Sequence, residues 1–229
     1  MMRLSILIPS YNEFHNLKVL IPEILGVLKN VDYDYELIII DRVETNRDTS
    51  LLCRELGANY VNRTGGNKYG DAVRTGIKSS TGETIIFMDA DGSHDPCEIP
   101  RLMELVDKCD IAVSSRYISL ANSQNAYIKE LGSLFLNWLC RVLLNINCKD
   151  VSNSFKAYRA DDLRKLNLIS DNIDIIEEMV YKLVNYNENY KILEIPGNFR
   201  KRINYTSRRE PLVYFVSYVK TIFNLKFKH

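Results

Sequence analysis

The sequence lacks the features that mark exported, disulfide-stapled or zinc-ribbon proteins. Its five cysteines are an odd number and include no C-x-x-C pair, which argues against both a disulfide scaffold and a zinc ribbon. We therefore expect a reducing compartment. The first residues enter a strand-like segment directly, without a basic region, an apolar stretch and a cleavage site, so we expect no secretion signal.

Long uninterrupted apolar runs are also missing. The two most apolar stretches are 131–148, which Arg141 interrupts, and 211–225, which contains Lys220 and is too short to cross a bilayer. We expect no transmembrane helix. The sequence has no internal repeat, low-complexity segment or Pro/Gly-rich linker, which favours one continuous domain.

An excess of charge of one sign is absent from the whole chain but not from its end. The 30 Lys and Arg residues nearly balance the 29 Asp and Glu residues. Residues 200–229 nevertheless hold eight Lys and Arg against the single acid Glu210, which leaves 22 basic and 28 acidic residues in the body. Such a tail can meet nucleic acid, an anionic bilayer or a phosphorylated substrate, and composition does not choose among them.

Short β-rich runs alternate with helical patterns, which is typical of βαβ units and a parallel sheet. The patterns predict strands at Arg3–Pro9, Glu36–Asp41, Asn59–Asn62, Thr84–Met88, Asp110–Ser114, Ser152–Arg159 and Lys191–Phe199. They predict helices at Asn16–Leu28, Thr49–Leu56, Tyr69–Ser79, Pro96–Cys109, Tyr127–Leu144, Ile175–Asn185 and Leu212–Leu225. We expect a mostly parallel α/β domain over 1–210 and an amphipathic basic helix over 211–229.

The C-terminal helix carries an apolar stripe at helical spacing. Its members are Leu212, Phe215, Val216, Val219, Ile222 and Phe223. Packing on the domain is the commonest fate of such a stripe. With Lys220, Lys226 and Lys228 nearby, the helix also fits an interfacial position on a bilayer. Both interpretations stay open at this point.

Two carboxylates follow the apolar strand TIIFM, at Asp89 and Asp91. Ligands of open α/β sheets bind beyond the carboxyl ends of the strands, so these acids lie where a ligand is expected. Carboxylates one residue apart can hold a hard divalent cation that also contacts phosphate oxygens. A D-x-D triplet alone is a weak signal, but its place after this strand strengthens it. His94 is a further candidate ligand, although a hydrogen bond that fixes the loop is the favoured role.

Four segments in order carry a family resemblance. They are IPSYNE at 8–13, DADGSHDP at 89–96, SRY at 115–117 and FRKR at 199–202. Together they resemble the inverting glycosyltransferases of family 2 with the GT-A (Rossmann-like) fold. More narrowly, the chain is similar to the polyprenyl-phosphate (dolichyl-phosphate) mannosyltransferases over roughly residues 3 to 210.

The resemblance implies a donor site and a metal site. The donor candidates are Pro9, Tyr11, Glu13, Asp41, Lys68, Asp89, Ala90 and Asp91. Asp89 and Asp91 would bind Mg²⁺ or Mn²⁺. Glu13 has a second interpretation as a cap of the next helix. Lys68 follows a glycine-rich stretch whose backbone could approach phosphate, although an ordinary tight turn explains the glycines as well.

The resemblance also implies residues for the acceptor and for the leaving group. Arg116, Lys129 and Ser133 would bind an acceptor phosphate, and Lys129 stands where many relatives have arginine. Asn137 shares a helix face with the last two and is expected to be structural. Asp91, Arg116 and Arg202 are the candidate catalytic residues.

Two positions depart from the family pattern. Arg42 replaces the second acid that usually ends the second strand, which leaves the identity of the base open. Asn153-Ser154 replaces the Ser-Gly of the usual Ser-Gly-Phe pattern, so we expect either strain at Ser154 or an altered turn. Ile176-Glu177-Glu178-Met179 matches a common acidic-helix motif, for which an ordinary helix face is an equal explanation.

The resemblance therefore predicts transfer of a hexose, foremost mannose from GDP-mannose, to a polyprenyl phosphate on the cytoplasmic face of a membrane, where a membrane-anchor subunit could also bind. Alternatives are a UDP-sugar donor, a saccharide hydroxyl as acceptor, or a degenerate scaffold subunit. We expect no nucleic-acid partner, because the basic cluster lacks the interleaved aromatics of a recognition module.

Overall fold

A computed structural model of the protein describes residues 4–118, 127–187, 189–203 and 211–227, with the backbone alone at 127–132 and 211–216. The strands are β1 Leu4–Pro9, β2 Tyr35–Asp41, β3 Asn59–Asn62, β4 Thr84–Phe87, β5 Ile111–Ser115, β6 Lys156–Arg159 and β7 Ile192–Pro196. The helices are α1 Phe14–Leu28, α2 Arg47–Leu56, α3 Tyr69–Ser79, α4 Glu98–Val106, α5 Tyr127–Leu144, α6 Ala160–Arg164, α7 Ile175–Tyr186 and α8 Pro211–Phe227.

The seven strands form one sheet in the order β3-β2-β1-β4-β6-β5-β7. All neighbouring strands are parallel except β6, which runs antiparallel to both β4 and β5. The predicted mostly parallel α/β fold is therefore confirmed. Because β6 is reversed, its amino end lies at the same edge as the carboxyl ends of its neighbours.

Side chains of each strand alternate between two apolar layers, as the pleat requires. On β1, Leu7 contributes to the layer covered by α3, α5, α7 and α8, whereas Ile6 and Ile8 contribute to the layer covered by α1, α2 and α4. The central strands are buried on both faces, which explains why their sequences are continuous apolar runs.

Two elements differ from the sequence prediction by more than shifts of one to three residues at their ends. The strand predicted at Ser152–Arg159 begins only at Lys156, because the preceding residues form a turn held by side-chain hydrogen bonds. Helix α6 was not predicted, since five residues are too few to show a periodic pattern.

Helix α8 packs on the domain through a face that the predicted stripe only partly describes. Tyr218, Ile222 and Leu225 are buried in the layer that also contains α5 and α7. Val219 and Phe223 belong to the predicted stripe but are exposed. Across the described ranges, no helix combines the length and hydropathy that a membrane crossing requires.

Gly70 marks a close approach between α3 and the segment after α6. Its amide donates to the Asp171 carbonyl at 2.7 Å, and a Cβ at this position would lie 2.2 Å from the Ser170 carbonyl oxygen. The Ser170 carbonyl also accepts a hydrogen bond from Arg74 Nη1 at 2.6 Å. The helix and this segment therefore contact each other directly through backbone atoms.

The first prediction follows from this contact. Gly70→Ala should lower the free energy of unfolding by about 1–3 kcal/mol, because the added methyl overpacks a backbone contact. Gly26→Ala in α1 is the matched control: nothing lies within 4 Å of its Cβ, so it should raise the free energy by about 0.5–1 kcal/mol. Urea unfolding measures both changes, and equal effects would contradict the contact.

Candidate active site

The predicted site residues converge on one edge of the sheet. Strands β1, β2, β4, β5 and β7 end at this edge, and β6 begins there. The segments that follow or precede these strand ends carry the predicted residues on β1, β2, β4 and β5 and in the FRKR segment. A topology in which one reversed strand sits among parallel ones therefore brings distant parts of the chain together.

Asp89 is held through both its backbone and its side chain. Its amide donates to His94 Nδ1 at 3.1 Å, and its Oδ1 accepts a hydrogen bond from Ser154 Oγ at 2.9 Å. Ser154 lies immediately before β6, so this bond joins two neighbouring strands at the site edge. Ala90, the next residue along the chain, is buried and makes no contribution of charge.

Asp91 is held by a serine and an arginine. Its Oδ1 accepts from the Ser93 amide at 3.0 Å and from Ser93 Oγ at 2.6 Å, whereas its Oδ2 lies 2.8 Å from Arg202 Nε. The Asp91 carbonyl also accepts from the Ile203 amide at 3.0 Å. The DAD loop and the FRKR segment, which are more than a hundred residues apart in sequence, thus form one unit.

His94 acts as a structural residue of this loop, as the sequence prediction favoured. It is buried, stacks on Phe155 with ring centroids 4.8 Å apart, and meets Phe199 edge-on at 5.7 Å. Burial lowers the pKa of His94, although Asp89 and Asp91 oppose the change. The ring is therefore neutral, and because Nδ1 accepts the Asp89 amide, the proton resides on Nε2.

Arg116 is oriented by a buried carboxylate. Asp150 has no exposed surface; its Oδ2 accepts from Arg116 Nε at 2.9 Å and its Oδ1 from Nη2 at 2.5 Å. Ser152 Oγ accepts from the same guanidinium at 3.1 Å. A bidentate arginine–carboxylate pair fixes the plane of the guanidinium as well as its position.

Of the two acceptor candidates on α5, Ser133 belongs to the same network. Tyr117 donates its hydroxyl hydrogen to Ser133 Oγ at 2.9 Å, and Asn137 Nδ2 donates to the Ser133 carbonyl at 2.8 Å. Asn137 also exchanges hydrogen bonds with Ser152, which agrees with its expected structural role. Lys129 lies on α5 where only the backbone is described, so its side chain falls outside the described residues.

The donor candidate at the end of β2 is a partly unsatisfied carboxylate. Asp41 is buried; its Oδ2 accepts from the Tyr60 hydroxyl at 3.4 Å, and its Oδ1 has no hydrogen-bond partner among the described residues. A buried carboxylate oxygen without a donor is costly, and a ligand that supplies an N–H or O–H group would satisfy it. The neighbouring Arg42 donates from Nη1 to Asn12 Oδ1 at 3.2 Å.

Glu13 occupies the N-cap position of α1 but makes no side-chain cap. Its carboxylate instead accepts from Asn16 Nδ2 at 2.5 Å. Pro9 ends β1 and is buried, whereas Tyr11 is partly exposed above it. Of these residues, Tyr11 and Glu13 have the surface exposure that a ligand contact requires.

Arg63 is a site-edge residue that the sequence analysis missed. It is buried, donates to the carbonyls of Ser10, Asn67 and Lys68, and lies 5.6 Å from the centre of the Tyr11 ring. Burial lowers its pKa, although Asp41 and Asp71 oppose the change. It joins the turn after β1 to the glycine-rich loop. The only available signal was a cation directly after a strand and before two glycines.

The glycine-rich loop encloses a carboxylate of the protein itself. Gly65 and Gly66 have positive φ, and Cβ atoms on them would lie 3.2 and 2.8 Å from Asp71 oxygens. Asp71 also accepts from the Lys68 amide at 3.0 Å. Lys68 Nζ lies 2.7 Å from Asp171, on an exposed pair. The tight-turn explanation therefore accounts for the glycines, and a phosphate contact by Lys68 remains a prediction.

The acidic motif on α7 is buried rather than a solvated helix face. Glu178 accepts from the Ile169 and Ser170 amides and pairs with Lys182 at 2.7 Å, so it anchors a loop. Burial raises the pKa of Glu177 to about 8, an effect that the Lys156 ammonium partly offsets. Glu178 therefore stabilises the fold through its hydrogen bonds and ion pair, whereas burial disfavours the ionised form of Glu177.

The oxygen donors at the end of β4 fit a hard divalent cation. Asp89 and Asp91 are carboxylates, which Mg²⁺ and Mn²⁺ prefer as ligands. Neither here nor elsewhere within the described residues do three or more His, Cys, Asp or Glu side chains form a group that could hold a metal ion. A cation held by only two protein carboxylates needs further oxygens, and phosphate commonly supplies them to Mg²⁺.

Comparisons with known proteins find relatives of this chain. Residues 5–166 match the model of glycosyl transferase family 2. A dolichol-phosphate mannosyltransferase of Pyrococcus furiosus is 29% identical over 98% of this chain and 64% of its own length. An undecaprenyl-phosphate mannosyltransferase of Micrococcus luteus is 28% identical over 88% of this chain and 85% of its own. The chain thus spans less than two thirds of the Pyrococcus protein.

The fold has solved counterparts as well. Glucosyl-3-phosphoglycerate synthase of Mycobacterium tuberculosis superposes with a TM-score of 0.76 at 18% identity, over 98% of this chain and 80% of the synthase. The fold and the carboxylate-bearing edge define a protein of the GT-A class. The family match over most of the chain is more specific: the protein belongs to glycosyl transferase family 2.

The second prediction concerns Glu177. Its folded pKa of about 8 lies above the unfolded value, so the protonated acid favours the folded state and stability is lost as the pH rises towards 8. Glu177→Gln should therefore be more stable than the wild type at pH 9, with a smaller difference at pH 5. Urea unfolding at both values measures this.

Glu178→Gln is the matched control for Glu177→Gln. It removes a carboxylate with two amide donors and a lysine partner, so it should be less stable than the wild type at pH 9. The same pH dependence in Glu177→Gln and the wild type would contradict the assignment of the raised pKa.

Proposed function

We propose that the protein is an inverting glycosyltransferase that moves a hexose from a nucleoside diphosphate sugar to a polyprenyl phosphate. The observation that carries the proposal is that the Asp89/Asp91 loop and the Arg116 guanidinium lie at the same edge of the sheet. The first suits the diphosphate of a donor and the second suits an anionic acceptor. The two mannosyltransferase relatives support mannose, and GDP-mannose is the proposed donor.

In the proposed donor complex, Asp41 accepts a hydrogen bond from the base or ribose through Oδ1, which neighbouring side chains must first uncover because Asp41 has no exposed surface. Tyr11 and Glu13 line the mouth of the same side, and Lys68 contacts the diphosphate. Asp89 and Asp91 would hold the cation, and Arg202 places a guanidinium beside Asp91. Mg²⁺ or Mn²⁺, when bound, supplies positive charge that stabilises the departing diphosphate. The Mycobacterium synthase was solved with Mg²⁺ and UDP and with Mn²⁺ and UDP-glucose.

The acceptor phosphate lies between Arg116, Lys129 and Ser133 in this proposal. A phosphate monoester is largely ionised near neutral pH, since its second pKa is about 6. It therefore attacks the anomeric carbon without a strong general base, and in-line attack inverts the configuration to a β-linked product. Asp150 keeps the Arg116 guanidinium in one orientation, so the enzyme contributes mainly positioning and charge.

An exposed apolar surface supports a lipid acceptor. Helix α5 presents Leu134, Phe135, Trp138 and Val142 outward, and α8 presents Val219, Phe223 and Phe227; we call these seven residues the α5–α8 surface. Helix α5 also carries Lys129 and Ser133, so two of the three acceptor candidates share one element with this surface. Arg141, Lys220 and Lys226 lie on the same two helices, and their charge complements anionic headgroups.

We propose that the α5–α8 surface lies on an anionic bilayer at the cytoplasmic face. The polyprenyl chain then stays in the bilayer while its phosphate reaches Arg116. Alternatively, a membrane-anchor subunit covers the same surface. In that case the isolated chain would fail to bind vesicles. A UDP-sugar is the second candidate donor, because Arg42 in place of the usual acid beside Asp41 leaves the base open.

The third prediction concerns activity. The wild type should transfer radiolabelled mannose from GDP-mannose to dolichyl or undecaprenyl phosphate in the presence of Mn²⁺, and Asp91→Ala should lower kcat/KM at least about 100-fold. The exposed surface acid Asp161 supplies the control Asp161→Ala, which should retain activity.

The donor panel also contains UDP-glucose and UDP-GlcNAc. Transfer from one of these alone would replace the GDP-mannose assignment, and transfer to a saccharide but not to the lipid phosphate would replace the acceptor. No transfer from any donor, with Asp91→Ala indistinguishable from the wild type, would favour a scaffold subunit and contradict the proposal.

The fourth prediction concerns the bilayer. The wild type should co-sediment with vesicles that contain phosphatidylglycerol, and the double variant Phe223→Asp with Phe227→Asp should bind at least about tenfold more weakly, because it places charge where aromatic rings enter the interface. Val19→Asp is the control, since Val19 is an exposed apolar residue of α1 on the opposite face of the sheet. Equal binding by both variants would remove the α5–α8 surface from the proposal.

A further inference from the structure

Ser154 provides the hydrogen bond that orients Asp89 from another strand. Its hydroxyl donates to Asp89 Oδ1 at 2.9 Å across a sequence separation of 65 residues. Ser154 is only 5% exposed, so water competes weakly for this bond. The corresponding bond at Asp91 comes from Ser93, two residues away in the same loop. Of the two acids, Asp89 alone therefore has its serine donor in the segment that precedes β6.

The turn that carries Ser154 is fixed on both sides. Asn153 donates its side-chain amide to the Ser114 carbonyl at 2.5 Å and accepts from the Phe155 amide at 3.2 Å. The buried Lys156 ammonium donates to the carbonyls of Val151, at 3.0 Å, and Asn153. The Ser154 hydroxyl thus projects from a backbone that cannot readily shift.

The expected strain at Ser154 is absent. Among the described residues, positive φ occurs outside glycine only at Asn12 and Asn145, so Ser154 adopts an ordinary backbone conformation. The second expectation, an altered turn, stays a prediction. A glycine at this position would supply no hydroxyl, so the substitution gives Asp89 a hydrogen-bond donor that the Ser-Gly-Phe pattern cannot provide.

We propose that Ser154 is a positioning residue that fixes the rotation of the Asp89 carboxylate and thereby raises the affinity of this edge for a divalent cation. The inference rests on the proposed function, in which Asp89 is a metal ligand. Hydrogen bonds to ligating carboxylates hold them in the geometry that the metal requires, and their loss commonly weakens binding about 10- to 100-fold. Ser154 itself touches neither the cation nor the substrate in this proposal.

Mn²⁺ binding to the full chain tests the inference without turnover. The free Mn²⁺ signal in electron paramagnetic resonance is titrated with protein, alone and with GDP. We expect Ser154→Ala and Ser154→Gly to raise the Mn²⁺ Kd roughly tenfold, and Ser154→Thr, which keeps the hydroxyl, to stay closer to the wild type. Ser80→Ala is the matched control: Ser80 is buried, donates to the Ile77 carbonyl and lies at the C-terminal end of α3.

Three outcomes distinguish a failure of the Ser154 positioning role from a failure of the metal site itself. A wild-type protein that binds Mn²⁺ with the same Kd as Ser154→Ala and Ser154→Gly would overturn the positioning role while leaving the metal site in place. An equal rise of the Kd in Ser80→Ala would reduce the effect to lost stability and would also overturn it. A wild type that binds no Mn²⁺, even with GDP, would contradict the metal site of the proposed function itself.

Discussion

Two carboxylates, Asp89 and Asp91, follow the same buried strand one residue apart, and their mutual repulsion must be offset by neighbouring groups. The protein supplies a different set to each acid. Asp89 has the Ser154 hydroxyl and an amide anchored on neutral His94, whereas Asp91 has Ser93 and the Arg202 guanidinium. Both acids stay close to the sheet edge because these donors come from the loop itself and from the segments beside β6 and after β7.

The reversed strand β6 makes this arrangement possible. Its amino end reaches the carboxyl edge of its parallel neighbours, so one turn, 150–154, meets two groups of side chains. Asp150 and Ser152 orient Arg116, and Ser154 bonds to Asp89. In the proposed reaction the same turn therefore links the donor side of the edge to the acceptor side, and the spacing between them is set by backbone rather than by flexible side chains.

Sequence reasoning predicted the parallel sheet because short β-rich runs alternate with helical patterns, and it predicted α3 and α5 at their observed bounds. It also placed most candidate residues at one edge of the sheet, because these residues follow the carboxyl ends of strands. It could not foresee that Asp71 would fill the glycine-rich loop, that Arg63 would bridge three carbonyls, or that Asp150 would hold Arg116. Each of these depends on contacts between distant segments, which periodicity does not encode. The buried face of α8 also differed from the predicted stripe, because packing against α5 and α7 buries Tyr218 and Leu225, which the stripe did not include.

A crystal structure of the full chain with Mn²⁺ and GDP, read at the manganese absorption edge, would locate the cation. We expect one anomalous peak with carboxylate oxygens of both Asp89 and Asp91 roughly 2–2.5 Å away, a diphosphate oxygen completing the coordination, and Arg202 still beside Asp91. A peak at another part of the protein, or a bound nucleotide with no manganese between these two acids, would contradict the assignment of this edge as a metal-assisted glycosyltransfer site.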